Sequence, residues 1–404
     1  MNAGTEHERV DPSSSRVTIE VLRSPNALLE IRPIWNELLA NSEANTIFLT
    51  SEWATSWWHA FGSAFEPVIL KCLDGDRQLV GIVPFFRVRE RIGLNIPGDA
   101  LYLVGDVSGG SEKLDWIVQS GWEQAVVGAV LDWLEGAGRG FWDILHYDAV
   151  RSESKVAAFL VDECNRRNWF LTRQQRISYR VPLAASWEAY LASISKKMRS
   201  GIQQQVRRAN RTFSVQARLC QSTDQLETDL QTLFALHAKR WQQRGKTGSL
   251  FQDEKQKFYG ELAKSCLARG WLEFWMLEFN GKPVACEFGF NYDGVYSFLQ
   301  GGFDPEFSVY SVGVVLRASI MQSLIERRFR IYDFLLGEDE YKERWGGRPY
   351  PLQDIAIARP KSKGHRVLAA QHYVSDTINW LRTRAPKPVW SFARTTIRSV
   401  LRKK

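Results

Sequence analysis

The sequence has few cysteines, no long apolar run and no leader-like start, and each absence argues against a class of protein. The five cysteines are odd in number and scattered, with no CxxC pair: Cys72, Cys164, Cys220, Cys266 and Cys286. They suggest neither a disulfide framework nor a zinc site, so we expect small core residues and no metal. No run of about 18 apolar residues is present, and the first 16 residues are polar, unlike a signal peptide. We therefore expect a cytoplasmic protein.

The positive charge is unevenly distributed along the chain. The 404 residues carry a net charge of +8, with 53 Lys and Arg against 45 Asp and Glu. Eight of the basic residues and no acidic one lie between Thr377 and Lys404, so the rest of the chain is neutral. Within that neutral part, residues 165–223 hold twelve Lys and Arg and one acid, Glu188. We expect an anion or an acidic surface to meet this segment first.

At about 150 residues per domain, a chain of this length and 44% hydrophobic content should hold two domains. Hydrophobic periodicity and turn residues predict the elements of each half. In the first half the predicted strands lie at 16–22, 67–73, 78–88 and 142–147, and the helices at 26–39, 51–62, 121–135 and 152–167. In the second half the predicted helices lie at 186–210, 223–243, 252–269 and 311–328, and the strands at 271–279, 284–291, 295–302 and 330–336. Ser51 is predicted to cap the helix at 51–62.

The two halves resemble each other at two places. VILKCLDGDRQLVGIVPFF aligns with EFWMLEFNGKPVACEFGF, and FWDIL with IYDFL, which pairs Gly75 with Gly281 and Asp143 with Asp333. The interval from Gly to Asp is 68 residues in the first half and 52 in the second, and the excess fits extra strands and a loop around residues 90–118. Two copies of one domain explain this best, with chance similarity of two hairpins as the alternative.

The order of these elements resembles that of the acetyltransferase superfamily called GNAT. More narrowly, the chain resembles the tandem family associated with bacterial cellulose and exopolysaccharide biosynthesis, a relative of the Fem-type aminoacyltransferases of cell-wall assembly. The match is carried by SEWATSWW, LVGIVPF, KKMRSGIQQQVRR, LHAKRW, GKPVACEFGF, SVGVVL and YDFLLGEDEYKERW, which span roughly residues 48–346. The resemblance implies an α/β fold of two tandem acetyltransferase-like domains, whose central, mostly antiparallel sheets are flanked by helices.

The expected domain organisation follows from the repeat and the charge distribution. We predict a disordered tail at 1–15, an inactive N-terminal domain at 16–182, an active C-terminal domain at 183–360, and a basic amphipathic helical tail at 361–404. Helical spacing gathers Arg394, Arg398 and Arg402 beside apolar residues of that tail. Such a helix could lie on an anionic membrane surface at the inner membrane, dock on a synthase complex, or pack on its own protein.

The resemblance implies a phosphate site at the start of the helix predicted from 311. There, backbone N–H groups and the helix dipole would bind the pyrophosphate of acyl-CoA, the expected co-substrate. The residues that would surround the phosphates and pantetheine are Ser311, Val312, Gly313, Val314, Val315, Leu316 and Arg317, with Arg317 as a charge partner. Only one glycine is present where the superfamily typically has two. The alternative is a packing helix whose glycine eases contact with the sheet.

Four residues are candidates for catalysis in the second half. By resemblance to the aromatic-Lys-x-x-aromatic phrase of the Fem-type relatives, Lys342 would stabilise the oxyanion, with Tyr341 as a further donor and Trp345 as a pocket wall. The alternative is that EDEYKER forms an exposed charged turn. Asp333 ends a strand, where it could act as a base or amine anchor, although its counterpart Asp143 favours a shared structural role. Glu287 lies in an apolar run and is either a base of raised pKa or a residue that faces solvent.

Two further groups could bind the acceptor. His237, Arg240 and Trp241 share a helical face that could hold a phosphate or carboxylate, although a lone helical histidine is more often structural. Lys197 and Arg199 belong to the basic phrase KKMRSGIQQQVRRANR, which would suit an anionic substrate or form a solvated helix. The basic phrase contains no interleaved aromatic residues, so we expect no sequence-specific nucleic-acid recognition.

The sequence leaves three functions open. The first is acyl transfer, with acyl-CoA as donor, to an amine or hydroxyl of a cell-envelope or exopolysaccharide-related acceptor, such as a small molecule or a saccharide-linked group. The second keeps the fold but takes aminoacyl-tRNA as donor, which the one-glycine loop and the basic segment favour. The third is a catalytically silent accessory protein of a polysaccharide-synthesis complex. No Ser or Cys nucleophile motif is present, so we expect no covalent enzyme intermediate.

Overall fold

A single large sheet with helices on its faces organises the chain. The computed structural model describes residues 16–24, 26–92, 96–106, 108–243, 245, 250, 252–337 and 339–384. The predicted tail at 1–15, and residues 385–404 of the predicted C-terminal tail, lie outside these described residues. Within them, thirteen strands join one mixed sheet, and no helix is both long enough and apolar enough to cross a membrane.

The first half begins with a strand and two helices and then builds its part of the sheet. Its strands are β1 (Thr18–Leu22), β2 (Glu66–Leu73), β3 (Leu79–Ile92), β4 (Ile96–Leu103), β5 (Ile117–Val118), β6 (Ile144–Arg151) and β7 (Phe170–Pro182). Its helices are α1 (Ala27–Ala40), α2 (Ser51–Phe61), α3 (Glu123–Glu135) and α4 (Lys155–Arg166). The predicted hairpin is β2 with β3, and the extra strands predicted around 90–118 are β4, β5 and the end of β3.

The second half repeats this order of helices, hairpin, helix and strand. Its helices are α5 (Trp187–Ser193), α6 (Lys196–Thr212), α7 (Thr223–Gln242), α8 (Asp253–Ala268), α9 (Val312–Glu326), α10 (Glu340–Arg344) and α11 (Lys363–Arg384). Its strands are β8 (Val215–Leu219), β9 (Leu272–Phe279), β10 (Lys282–Tyr292), β11 (Val295–Phe303), β12 (Ile331–Leu336) and β13 (Arg348–Ala358). The helix predicted at 186–210 is interrupted, because Ser195 caps α6 by accepting a hydrogen bond from Met198 N.

The strand order shows that the two halves exchange strands. It runs β1-β2-β3-β4-β6-β13-β7-β12-β11-β10-β9-β8, with β5 beside β3. β13, from the end of the chain, lies between β6 and β7 and is antiparallel to both. β7, from the first half, pairs with β12 of the second. Each half therefore has its sheet continued by a strand from the other, and the predicted boundary at 182/183 falls at the end of β7.

Helices α2 and α8 also hold the halves together. Thr50, rather than the predicted Ser51, caps α2 by accepting a hydrogen bond from Trp53 N at 3.3 Å. The buried ring of Trp53 lies 5.5 Å, centroid to centroid, from the ring of Phe258 on α8 and equally far from that of Phe290 on β10. Aromatic residues of both halves thus share one core.

A buried ion pair crosses the same contact. The Glu52 carboxylate, in the first turn of α2, accepts hydrogen bonds from Arg269 Nε at 2.9 Å and from Asn36 Nδ2 at 2.8 Å. Burial alone would raise the pKa of Glu52, but these donors outweigh burial and hold its pKa below the ordinary value. The carboxylate therefore stays charged and joins the end of α8 to the first half. All five cysteines are buried and free, as predicted for core residues.

Candidate functional site

A cavity opens where β11 and β12 separate. The two strands pair in parallel only from Val295 to Ser297 and from Ile331 to Asp333, and then diverge. The cavity, of about 320 Å³, is lined by residues 298–300 of β11, 334–336 of β12, Asp339, Tyr341, Lys342, Leu250, Lys255, Tyr259, residues 108–110 and Glu112. It lies at the carboxyl ends of parallel strands, where clefts form in open α/β sheets. The loop at 108–112 belongs to the first half, so both halves build the cavity.

Lys342 reaches the cavity from α10 and is held by main-chain oxygens. Its side chain is only 2% exposed, and its Nζ donates to Leu335 O at 2.8 Å and to Leu336 O at 2.7 Å. The backbone bends at Leu335, whose φ of +60° is left-handed, and a Cβ at Gly337 would lie 3.2 Å from Nζ. Burial lowers the pKa of Lys342, against the attraction of Glu112 and Asp339. The turn after β12 thus positions one buried amine at the cavity wall.

Glu112 is the acidic group of the cavity that the sequence did not reveal. Its side chain is buried, and Oε1 accepts a hydrogen bond from Leu336 N. Oε2 has no hydrogen-bond partner among the described residues, and Lys113 Nζ lies 3.9 Å from it. Burial raises the pKa of Glu112 to about 7, with Lys113 acting in the opposite direction. The only sequence signal was an acidic residue in the extra loop around 90–118.

Asp333 lies beneath the cavity and joins three elements. It is wholly buried and accepts hydrogen bonds from Lys113 Nζ at 2.6 Å, Arg180 Nε at 2.8 Å and Leu335 N at 2.9 Å. Burial alone would raise the pKa of Asp333, but Lys113 and Arg180 outweigh burial and hold its pKa below the ordinary value. Asp333 is not among the residues that line the cavity. Its geometry is that of a structural carboxylate, the role favoured by its predicted counterpart Asp143.

Glu287 faces Arg317 inside the protein, not solvent. Arg317 Nη2 donates to Glu287 Oε1, Arg317 Nε donates to the Tyr332 hydroxyl at 3.1 Å, and that hydroxyl donates to Glu287 Oε2 at 2.8 Å. Burial raises the pKa of Glu287, against Arg317 and Tyr332. Four aromatic rings lie 5.1 to 5.7 Å from the guanidinium carbon: Phe298, Phe334, Tyr341 and Trp345.

The surroundings of this buried ion pair differ from the roles predicted for three residues. Arg317 is engaged by Glu287 and Tyr332, so it is not placed as a partner for a phosphate. Tyr341 lines the cavity and shields Arg317, whereas Trp345 is buried and its backbone carbonyl accepts from the Tyr190 hydroxyl at 2.9 Å. Trp345 therefore supports the cavity from behind and does not line it.

The start of α9 leaves its first N–H groups available. Ser311 has a left-handed φ of +49° and makes no side-chain cap. Val314 N donates to Ser311 O at 2.7 Å, while helix geometry leaves the N–H groups of Val312 and Gly313 without partners inside the helix. The space beside Gly313 is open. Val312, Val315 and Leu316 are core residues and Val314 packs against that core, so this end of α9 could meet a phosphate only through the backbone N–H groups of Val312 and Gly313.

His237 packs against β11 outside the cavity. Its Nε2 accepts a hydrogen bond from Trp241 Nε1 at 2.8 Å, and its buried Nδ1 has no partner among the described residues. Burial lowers the pKa of His237 to about 4, so the ring is neutral at pH 7. Arg240 lies on the same helix, where its Nη1 donates to Gly301 O at 3.5 Å. The structure thus brings the three predicted residues together, but none of them lines the cavity.

Helix α6 presents a basic face next to the start of α9. Lys197 is exposed, whereas Arg199 is half-buried and its Nη1 donates to Leu191 O at 3.3 Å. Arg208 Nη1 donates to Val309 O at 3.2 Å, in the short turn of helix that precedes α9. The exposed basic side chains are Lys196, Lys197, Arg207, Arg208 and Arg211. This basic face adjoins the α9 N-terminus, and Arg208 is the predicted basic residue placed nearest to it.

Comparison with known proteins relates this geometry to a family. Residues 196–343 match the family described as acetyltransferase (GNAT) domain, and no curated protein matches the chain in sequence. FemX has a similar solved structure, with 10% identity, a TM-score of 0.57, and coverage of 80% of this chain and 95% of FemX.

Two further solved structures share the fold. The C-terminal domain of a putative lysylphosphatidylglycerol synthetase from Agrobacterium fabrum has 12% identity and a TM-score of 0.51, covering 85% of this chain and 95% of its own. L-PGS from Bacillus licheniformis has 12% identity and a TM-score of 0.50, covering 85% and 96%. The chain thus has the mixed α/β fold of these proteins, and its residues 196–343 are similar in sequence to the acetyltransferase (GNAT) domain family.

Proposed function

We propose that the chain is an acyltransferase that works in the cavity between β11 and β12, with acyl-CoA as donor and an amine or hydroxyl as acceptor. The observation that carries this proposal is the Lys342 ammonium in the cavity wall. Two of its three N–H groups are bound by Leu335 O and Leu336 O, which leaves the third for a ligand. A fixed cation in a buried site stabilises the negative charge that develops on an acyl oxygen during transfer.

The start of α9 supports acyl-CoA as the donor. The N–H groups of Val312 and Gly313, with the helix dipole and Arg208 beside them, form a basic, polar site of the kind that holds a pyrophosphate. The second turn of the same helix carries Arg317, whose surrounding rings include three residues of the cavity wall. One helix therefore connects the candidate phosphate site with the candidate acyl site.

A second donor, aminoacyl-tRNA, is favoured by α6. Its five exposed basic residues cover more surface than the phosphates of one nucleotide require and would suit a nucleic-acid backbone. The likeness to FemX shows the fold and leaves the donor open.

The identity of the acceptor is a further part of the proposal. A group of the cell envelope or of exopolysaccharide assembly follows from the sequence resemblance alone. Contact with a membrane surface would depend on the basic tail, whose Arg394, Arg398 and Arg402 lie outside the described residues.

Two measurements, first of donor binding and then of turnover, would test the proposal. Acetyl-CoA and an aminoacyl-tRNA are titrated separately against the full chain, and enzyme-dependent thiol release from acetyl-CoA is followed with ethanolamine and glucosamine as acceptors. Binding of acetyl-CoA with thiol release supports the first donor, and binding of the tRNA alone supports the second. Binding of neither refutes the acyltransferase and leaves the accessory role.

Lys342→Met then tests the residue that carries the proposal. We expect acetyl-CoA affinity within about twofold of the wild type and turnover lowered by about 10²- to 10³-fold, the usual loss for one oxyanion donor. Lys239→Met, which removes a half-exposed lysine paired with Asp304, is the matched control and should keep full turnover. Unchanged turnover in Lys342→Met would remove Lys342 from the site.

A further inference from the structure

We propose that Glu112, from the first half of the chain, is the general base that takes the proton of the acceptor during acyl transfer. This inference rests on the proposed function and adds a catalytic residue to it. It also gives chemistry to the half of the chain that the sequence analysis expected to be inactive.

The geometry of Glu112 supports a ligand contact and not only a structural role. The residue is 5% exposed and lines the cavity, and its Oε1 is fixed by Leu336 N. Its Oε2 is buried without a hydrogen bond among the described residues. A buried carboxylate oxygen without a hydrogen bond is unfavourable, and a catalytic role that supplies the missing donor is one of the established explanations for such an atom.

The cation nearest to Glu112 is already engaged elsewhere. Lys113 Nζ lies 3.9 Å from Oε2, but it donates to Asp333 at 2.6 Å. Lys342 is bound to two carbonyl oxygens. The other titratable groups that line the cavity are Lys255, Tyr259, Asp339 and Tyr341. Burial, together with Asp333, therefore prevails over these cations and raises the pKa of Glu112 to about 7.

A base of this kind suits the reaction. General bases work best when their pKa lies near the operating pH, because they are then both largely deprotonated and able to accept a proton. Glu112 and Lys342 both contact the backbone at the end of β12. Glu112 accepts a hydrogen bond from Leu336 N, and Lys342 donates to the carbonyl oxygens of Leu335 and Leu336. The two charged groups thus face one cavity from different halves of the chain.

The step balances without an oxidant or reductant. The acceptor nitrogen or oxygen forms a bond to the acyl carbon, and the carbonyl electron pair moves to oxygen, where Lys342 stabilises it. Glu112 Oε2 takes the proton from the attacking atom. The carbonyl then reforms, the C–S bond breaks, and the thiolate leaves with the bonding electrons and receives the proton from Glu112.

The test compares Glu112→Gln with the wild type over pH 5.5–9, with saturating acetyl-CoA and an acceptor from the panel above. We expect Glu112→Gln to retain acetyl-CoA affinity and to lose about 10²- to 10⁴-fold in kcat, the usual contribution of a general base. The ratio of wild-type to variant kcat/KM for the acceptor should be constant at high pH and fall tenfold per unit below about pH 7. Titration of the acceptor affects both enzymes and cancels in this ratio.

Asp148→Asn is the matched control. Asp148 also has a pKa raised to about 7, by burial and by Asp106 and Asp354, but it lines a different cavity, which β6, β7, β13 and α11 form. Asp148→Asn should keep the wild-type rate and pH profile. Glu112→Asp, which keeps a carboxylate, should retain part of the rate and the acid limb, and it serves if Glu112→Gln does not fold.

The outcomes separate the two proposals. A wild type that turns over while Glu112→Gln keeps the same rate and acid limb overturns the role of Glu112 and leaves the acyltransferase intact. A wild-type kcat/KM for the acceptor without an acid limb near pH 7 overturns the role of Glu112 even if neither variant folds. A wild type that releases no thiol with any acceptor overturns both.

Discussion

Replacing Asp333 by Asn should destabilise the protein strongly. The amide keeps the size of the side chain but removes the charge that faces Lys113 at 2.6 Å and Arg180 at 2.8 Å. Lys113 is 2% exposed, so its ammonium would stay buried, and within the described part of the chain Glu112, 3.9 Å away, would be its one remaining counterion. Breaking a buried ion pair by removing one partner costs about 3–5 kcal/mol. We expect the lower end, about 3 kcal/mol, because Glu112 offers partial compensation.

Urea unfolding followed by tryptophan fluorescence and far-UV circular dichroism would measure this loss. With a slope of about 3 kcal/mol/M, a loss of about 3 kcal/mol lowers the midpoint by about 1 M, and coincident curves from the two probes would justify the two-state analysis. Asp143→Asn is the control. That carboxylate is half-buried and pairs with the exposed Lys363 at 3.3 Å, so its loss should cost only about 0–1 kcal/mol.

The pH dependence provides a second check. The pKa of Asp333 is lowered in the folded protein, so its stabilisation is fully present above the unfolded pKa of about 3.9 and is lost as pH falls through the folded pKa. The difference between wild type and Asp333→Asn should therefore shrink as pH falls below about 4. A midpoint shift of less than about 0.2 M at pH 7 would contradict the assignment of Asp333 as a structural anchor.

Two further predictions concern the buried core. Arg317→Met should lower the free energy of unfolding by about 3–5 kcal/mol, because it leaves the buried Glu287 carboxylate without its cation. The double variant Glu287→Met with Arg317→Met should recover much of this loss. Equal urea midpoints for the single and double variants would show that the two residues are not coupled. Trp53→Ala should cost about 3–5 kcal/mol, because its buried ring joins Phe258 and Phe290 of the second half; a thermal unfolding midpoint within about 2 °C of the wild type would contradict this packing role.

The elements with a strong hydrophobic period were predictable from sequence. The strands β2, β3, β9, β10, β11 and β12 and the helices α1, α2, α7, α8 and α9 lie within a few residues of the predicted bounds. These segments bury one face or both in the core, so their apolar residues recur at the period of the element. Lys342 follows β12 on the short helix α10, which was not predicted from sequence.

The two exchanged strands were not predictable in the same way. β7 has an exposed polar stretch from Arg173 to Arg176, which hides its alternation. β13 contains Pro349 and Pro351, which ordinarily exclude a central strand. The structure accommodates both prolines because β13 pairs with β6 only from Leu352 onward. The pairing partners come from opposite halves, and local pattern carries no information on such pairing.

Part of the site was hidden for a different reason. Glu112 has no motif around it, and its importance arises from burial against Leu336 and from an oxygen left without a partner. Arg317 looked like a phosphate ligand because it follows the start of α9 by less than two turns. The structure turns it toward Glu287, because a charge that points from a helix into a sheet requires a buried counterion.

The exchange of strands has a consequence for how the chain folds during synthesis. β6 ends at Arg151, but its neighbour β13 is complete only at Ala358, about 200 residues later, which at about 5–20 residues per second corresponds to roughly 10–40 s of translation. Throughout that time the nascent first half presents an open β6 edge on the ribosome, a template for pairing with another chain. Chaperone protection of this edge, or a pause in translation that alters this interval, should therefore affect the yield of folded protein more than a comparable delay within either hairpin.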